Sequence, residues 1–565
     1  MNSDSNHSCF DHFESDWDEV VSEGDAFTDT ETSSVVDRPI TRRSGRRRRA
    51  PACLRVDTDS SDGDTSDTSW RDSRPSHSPF RCARTREAHR HGPAGDQTWA
   101  AVNHPAEDPE PVHEWHEMNW QPKNLPFTEN PGPVGDAAAL DSIEPKDFIE
   151  LFISDELIQN IVDQTNLYAD QIHAWKPVTV SEMKVFLGLF FLTGIIHKPE
   201  LDMYWSTDEM LATPYFSKVM SRNRFEIIWR FLHFNDNTAR PASDTDRLYK
   251  VRPVLDHLVS KFREMYQPNT NICIDEGMLL WRGRLAFRVY NPQKPIKSYI
   301  LCDSETGYCF NMKPYCGESA ALKDTVVSLL DRLAGHGYRL FMDHFYNSVQ
   351  LCKHLLDLKT HVCGTIRKNR GEPPVIRDLR NADLRIGETV MCHTENVMVL
   401  AWRDKQTVKM VTTCHENNME EVEVWQRGHQ EKIATQKPAC IVEYNNAMNG
   451  VDKLDQNIKY YPFVRKSHKW TKKFVTYLLQ ISLFNAFVIY KAKNPQGNCK
   501  TLLSFIQSVI NSWTSREQQH PTRRCRVCAR NGLRSETSFY CKSCGVPLHS
   551  GNCYTVYHSK IKYSA

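Results

Sequence analysis

The sequence predicts an α/β protein: a central mixed sheet, helical segments before and after it, and a small cysteine-rich module at the end. Three observations predict this. First, three apolar runs end on aspartate: Asn271-Ile-Cys-Ile-Asp275, Tyr338-Arg-Leu-Phe-Met-Asp343 and Asn449-Gly-Val-Asp452. Second, apolar residues recur every three or four positions up to about residue 270, and then switch to β-type alternation. Third, cysteines take up ligand spacing only from Cys525 onward.

A chain of 565 residues is too long for one core and suggests three or four domains. The net charge of +1 hides segregation between an acidic start, arginine clusters and a basic tail, so the distribution carries the information. The longest nearly apolar stretch, Val185 to Ile196, is too short to span a bilayer, and the start Met-Asn-Ser-Asp lacks the pattern of a signal peptide. A soluble intracellular protein is expected, with no membrane partner. Most of the 18 cysteines, such as Cys273, Cys352 and Cys363, stand singly in apolar segments, as reduced buried thiols do.

Residues 1–115 read as a disordered region, too poor in periodic apolar residues to offset chain entropy. Within it, Arg42-Arg-Ser-Gly-Arg46-Arg-Arg-Arg49 fits a nuclear-import signal or a nonspecific DNA contact, and a plain charged tail is the rival reading. Nuclear localisation is expected. Residues 116–270 are helical, with Ser181 and Ser221 as expected N-caps. From 271 to about 316 a three-strand antiparallel meander is expected, including Ala286 to Tyr290 and Ser298 to Cys302. A helix (about 319–335), a strand ending at Asp343, a helix (about 348–358) and the strand His361 to Ile366 follow. This is the order of an RNase H-like domain, assigned to 271–370, with 443–456 as its last part. A β-rich insertion is expected over 371–442. Helical sequence resumes over 457–512 with the apolar helix Phe474 to Tyr490, then a linker over 513–522 and the module over 523–565.

In an RNase H-like sheet the first and fourth strands lie side by side, so acids at their tips meet, and a later helix supplies a third. Such carboxylates can hold two divalent ions about 4 Å apart, the apparatus of in-line attack at phosphorus. Asp275, Asp343 and Asp452 are the expected magnesium (or manganese) ligands, with Asp455, three residues on and on the same helix face, as an added ligand or support. Any one of them taken alone reads as a turn residue or cap. Around them lie Arg282, Arg284, Lys294, Lys297, Arg367, Lys368, Arg370, Arg465, Lys466, Lys469 and Lys472, the cations expected to meet a DNA backbone. Each alone equally fits a solvated surface charge.

In the tail, Cys525-x-x-Cys528, Cys541-x-x-Cys544, His549, Cys553 and His558 form a zinc signature. One zinc on Cys525, Cys528, Cys541 and Cys544 is one arrangement. A cross-brace is favoured because it uses the later residues: Cys525, Cys528, His549 and Cys553 make one site, and Cys541, Cys544 and His558 make a second with no evident fourth ligand. The surrounding arginines suggest DNA binding, with a protein- or chromatin-reading module as the alternative.

Together, Ile274-Asp-Glu-Gly, Trp281-Arg-Gly-Arg, Gly364-Thr-Ile-Arg-Lys-Asn-Arg, Tyr444-Asn-Asn-Ala-Met-Asn-Gly-Val-Asp-Lys-Leu-Asp-Gln and the terminal module resemble a piggyBac-type transposase from about residue 115 to the end. The resemblance implies that the helical segments form one dimerisation and DNA-binding domain, and that the catalytic aspartates fall on Asp275, Asp343 and Asp452, with Asp455 nearby. It implies cut-and-paste transposition by a homodimer on double-stranded DNA: nicking, hairpin formation and opening at the transposon ends, and strand transfer into TTAA targets. The zinc module would read the terminal repeats. A nuclear DNA-binding protein derived from a transposase, without mobilising activity, is the alternative function, and a nuclease of another RNase H-like family is a third.

Overall fold

The computed structural model describes residues 114–118, 120–170, 175–281, 295–317, 321–425, 431–463, 469–515, 523–537, 546–549 and 551–559, together with 283, 285, 287, 541 and 544. The charged N-terminal segment, with its Arg42–Arg49 run, lies outside these residues.

The first helical segment contains α1 (Asp155–Asp170), α2 (Val180–Ile195), α3 (Arg222–Phe231) and α4 (Arg252–Met265). Ser221 caps α3 by accepting a hydrogen bond from the Arg224 amide. The cap of α2 is Thr179 rather than Ser181, because the Thr179 hydroxyl takes the Glu182 amide. Arg222 pairs with Glu226 at 2.7 Å and Arg224 with Glu182 at 2.7 Å. These two arginines therefore brace helices.

The sheet begins with β1 (Asn271–Leu280), β2 (Pro295–Asp303) and β3 (Cys309–Pro314), an antiparallel meander. The strand expected at 286–290 falls almost wholly outside the described residues, and β3 supplies the third strand. Then come α5 (Leu322–Leu329), β4 (Arg339–Met342), α6 (Val349–Asp357) and β5 (His361–Thr365). β4 pairs in parallel with β1 from Asn271↔Arg339 to Ile274↔Met342, and β5 pairs in parallel with β4. The first and fourth strands are thus neighbours.

The expected insertion proves to be largely part of the main sheet. β6 (Thr389–His393), β7 (Met398–Arg403) and β8 (Thr407–Thr412) continue it, giving eight strands in the order β3-β2-β1-β4-β5-β8-β7-β6. Backbone groups at the free edge of β5 are satisfied by β8. Among the described residues of 371–442, the hairpin β9 (Met419–Val424) and β10 (Ile433–Pro438) stands apart from that sheet as a two-stranded ribbon.

After β10 come α7 (Ala439–Ala447), α8 (Gly450–Tyr460), α9 (Trp470–Lys493) and α10 (Leu502–Thr514). α10 therefore extends two residues into the expected linker. α9 is long and apolar enough to cross a membrane by composition, but 83% of that window is buried in the protein, as in a core helix. Phe474, Leu478 and Ile481 are fully buried, each stabilising the fold by roughly 1.5–3 kcal/mol. Asn485 on the same helix is also buried, and its amide bonds both the N–H (2.9 Å) and C=O (2.8 Å) of Cys309. The edge strand β3 is thereby sealed by a side chain that imitates a neighbouring strand.

Candidate active site and zinc-ligand groups

Asp343 follows the last residue of β4, and Asp275 follows Ile274, the last residue of β1 paired with β4. The two carboxylates therefore project from laterally adjacent positions on strands spaced about 4.8 Å apart. Asp275 is not at a strand tip, contrary to expectation. β1 continues to Leu280 because its antiparallel partner β2 carries the ladder through Gly277, although Glu276-Gly277 reads locally as a turn. The parallel pairing alone ends there.

Asp452 lies in the first turn of α8, which packs on β1. Gly450 makes that approach possible: a Cβ there would stand 2.7 Å from Cys273 Sγ and 2.8 Å from the Asp303 carbonyl oxygen. The carboxylates sense one another. Burial pushes Asp275 up to about 7, reinforced by the charges of Glu276, Asp343 and Asp452. Burial also raises Asp343, with Glu276 adding to the shift and His344 and Arg367 opposing it. Asp455 is raised by burial and by Asp452, while Lys459, 3.8 Å away, opposes the shift.

The structure thus gathers Asp275, Asp343 and Asp452, with Asp455 one helical turn further along α8. Among the described residues, only cysteine–histidine groups bring three ligand atoms within 4.8 Å of one another. The acidic set is therefore not a single-ion cluster of that kind, and what it offers is the all-oxygen donor set that hard divalent ions take. Mutual repulsion among these carboxylates, which His344 and Arg367 partly offset at Asp343, is the condition that divalent ions relieve.

Sequence reasoning passed over Glu276. It lies beside Asp343 electrostatically and pairs with Lys297 at 2.8 Å. Its signal was adjacency to Asp275. Lys297 is consequently not a cation presented to a ligand: its side chain is 11% exposed, and its ammonium sits over Tyr299 (4.7 Å) and Phe345 (4.3 Å).

Lys472 is likewise corrected. It is buried, and its ammonium donates to the carbonyls of Trp229 and Arg230 at the end of α3, where a cation complements the helix dipole. Burial pulls its pKa down to about 7. The basic run around it, just ahead of the apolar stretch that starts at Phe474, masked its burial.

Arg367 and Lys469 are exposed, over Phe345 (5.7 Å) and Tyr168 (5.2 Å) respectively. Lys368 pairs with Asp378 at 3.3 Å. The amides of Asn369 and Arg370 donate to the buried Glu372 carboxylate at 2.7 Å, fixing the loop that follows β5. Arg282, Arg284, Lys294, Arg465 and Lys466 lie outside the described residues.

In the tail, Cys525, Cys528, His549 and Cys553 form one group and Cys541, Cys544 and His558 another, each with ligand atoms within 4.8 Å. In the first, Cys528 Sγ is 3.4 Å from His549 Nδ1 and 3.7 Å from Cys553 Sγ. Those are the edges of a tetrahedron with metal–sulfur bonds of about 2.3 Å. The other nitrogen of His549 meets Ser535 Oγ at 3.2 Å, which orients the ring. Burial would raise the Cys525 thiol, but amides of Cys528, His549 and Val527 bring it down to about 6, favouring the thiolate a metal needs. The donor set fits zinc, and the interleaved pairing is that of a cross-brace.

The family described as Transposase IS4 matches residues 144–487, more than half of the chain. PiggyBac transposable element-derived protein 2 of Homo sapiens is 27% identical over 374 residues, covering 62% of this chain and 62% of that protein. PiggyBac transposable element-derived protein 3 of Homo sapiens is 26% identical over 464 residues, covering 74% and 76%. The chain thus spans less than two thirds of the first of these relatives. A cryo-EM structure of a piggyBac transposase synaptic complex with hairpin DNA shares the fold, with a TM-score of 0.61 at 23% identity over 74% of this chain and 97% of that one. The matched span contains all four aspartates, and with them the chain belongs to the piggyBac-type transposase family.

Proposed function

We propose that the chain is a DNA transposase that nicks transposon ends, forms and opens hairpins there, and joins the freed 3′ ends to TTAA targets. One observation carries this reading: Asp275 and Asp343 flank the end of a parallel strand pair, with Asp452 brought against them by α8. In this reading the sheet is an RNase H-like catalytic core. Asp275, Asp343 and Asp452 would hold two magnesium or manganese ions, assisted by Asp455. The chemistry such a pair supplies when bound is activation of the attacking oxygen and stabilisation of the leaving 3′ oxygen.

The chain's own residues position the DNA. Arg367 stands beside Asp343 on a loop braced by Glu372, where it meets a phosphate near the cleaved bond. Lys469 adds a cation at the start of α9. The zinc module reads terminal-repeat DNA, two chains act together, and the arginine run at 42–49 directs the protein to the nucleus.

The test is excision, in cells, of a donor flanked by the element's own ends. Wild type should excise and rejoin at TTAA, and Asp343→Ala should do neither while still binding the ends. Wild-type binding without excision would overturn the reading in favour of a transposase-derived DNA-binding protein.

A further inference from the structure

The geometry points to Lys453 as a positioning residue that sets where Asp452 stands, an inference that rests on the metal-site reading above. Lys453 directly follows Asp452, but on α8 successive side chains diverge by about 100°. Its ammonium reaches away from the acids to the turn joining β2 and β3, donating to the carbonyls of Ser304 (3.0 Å) and Glu305 (3.2 Å).

That turn is a rigid anchor. The fully buried Asp303 carboxylate accepts from the amides of Asn269 (2.6 Å), Glu305 (2.9 Å) and Thr306 (2.8 Å), and from the side chains of Asn269 and Thr306. Gly307, at φ +74°, lies under the helix, where a Cβ would meet Lys453 Cβ at 3.0 Å and the Gly450 carbonyl at 3.2 Å. Turn and helix therefore touch at backbone distance, and Lys453 closes the contact.

The consequence is directional. Repulsion among Asp275, Asp343 and Asp452 tends to swing the first turn of α8 away from β1. The contacts opposing that swing include the burial of Val451 and Leu454, the packing at Gly450 and the two hydrogen bonds of Lys453. Without the lysine, the helix start relaxes outward and the third carboxylate leaves the position that divalent ions require. Partners of this kind typically change metal affinity 10–100-fold.

The experiment measures Mn2+ binding to the full chain without DNA, by electron paramagnetic resonance, for wild type, Lys453→Met and Lys453→Arg. Thermal unfolding and affinity for nonspecific duplex DNA are recorded alongside. Lys453→Met should weaken Mn2+ binding at least tenfold with DNA affinity unchanged, and Lys453→Arg, which can still donate to both carbonyls, should recover most of it. Wild-type Mn2+ affinity in Lys453→Met overturns the inference and leaves the metal-site reading standing. A parallel loss of DNA affinity and folding in Lys453→Met also overturns it, because the effect is then general. A wild type that binds no Mn2+, or whose binding survives Asp343→Asn, overturns both.

Discussion

Replacing Glu443 by Gln tests how the acidic site is braced from below. Glu443, on α7, accepts from Arg339 Nη1 at 2.9 Å and from Asn271 Nδ2 at 3.3 Å, and its other oxygen meets the buried His415. Asn271 and Arg339 are the first paired residues of β1 and β4. One carboxylate thus clamps both strands about 13 Å, four residues of strand rise, from Asp275 and Asp343. Burial alone would raise the Glu443 carboxyl, but His415 and Arg339 hold it at about 2 against an ordinary 4.5. At about 1.4 kcal/mol per tenfold change in acidity, that is about 3 kcal/mol. The side chain is 25% exposed, so solvent screening takes only a modest share. Because the folded value lies below the unfolded one, the stabilisation is complete above 4.5 and is lost as pH falls toward 2. Glu443→Gln should therefore destabilise the strands by about 3 kcal/mol at pH 7 but only about 1 kcal/mol at pH 3. Hydrogen exchange of the amides of 271–274 and 339–342, corrected for intrinsic rates, reads the opening free energy of these strands directly. An equal loss at both pH values, or under about 1 kcal/mol at pH 7, refutes the argument.

Gly450→Ala should push the start of α8 off Cys273 and Asp303, costing roughly 1–3 kcal/mol of stability and more than tenfold in Mn2+ affinity, seen by thermal unfolding and by Mn2+ titration. Lys469→Met should lower DNA affinity and reduce the salt slope by about 1, whereas Lys472→Met should leave the slope unchanged because its ammonium never reaches solvent. The chain should carry two zinc ions by elemental analysis. Cys528→Ser should lose one and Cys541→Ser the other, and a chain that holds one zinc in all, lost in both variants, would contradict the cross-brace.

The sequence made some parts of this site legible and hid others for identifiable reasons. The aspartates stood out because each closes an apolar run, and the order of elements said which strands would be neighbours. The grouping of the tail's cysteines and histidines was readable because ligand spacing is a local property. What escaped depends on partners distant in the chain. Gly277 continues in β1 only because β2 supplies a ladder, and strands 389–412 join the sheet because β5 offers an open edge. The cations show the limit most clearly. Lys297 and Lys472 sit in basic runs that resemble a DNA-facing surface, yet one is enclosed with Glu276 and two aromatic rings, and the other ends a helix. Charge pattern alone reports how many cations are present, and burial decides which of them a phosphate can reach. Of the predicted cations that the structure describes near the acids, Arg367 combines exposure with a direct electrostatic effect on Asp343. It follows that Arg367, rather than Lys297, is the residue whose loss should slow strand cleavage more than it weakens overall DNA binding.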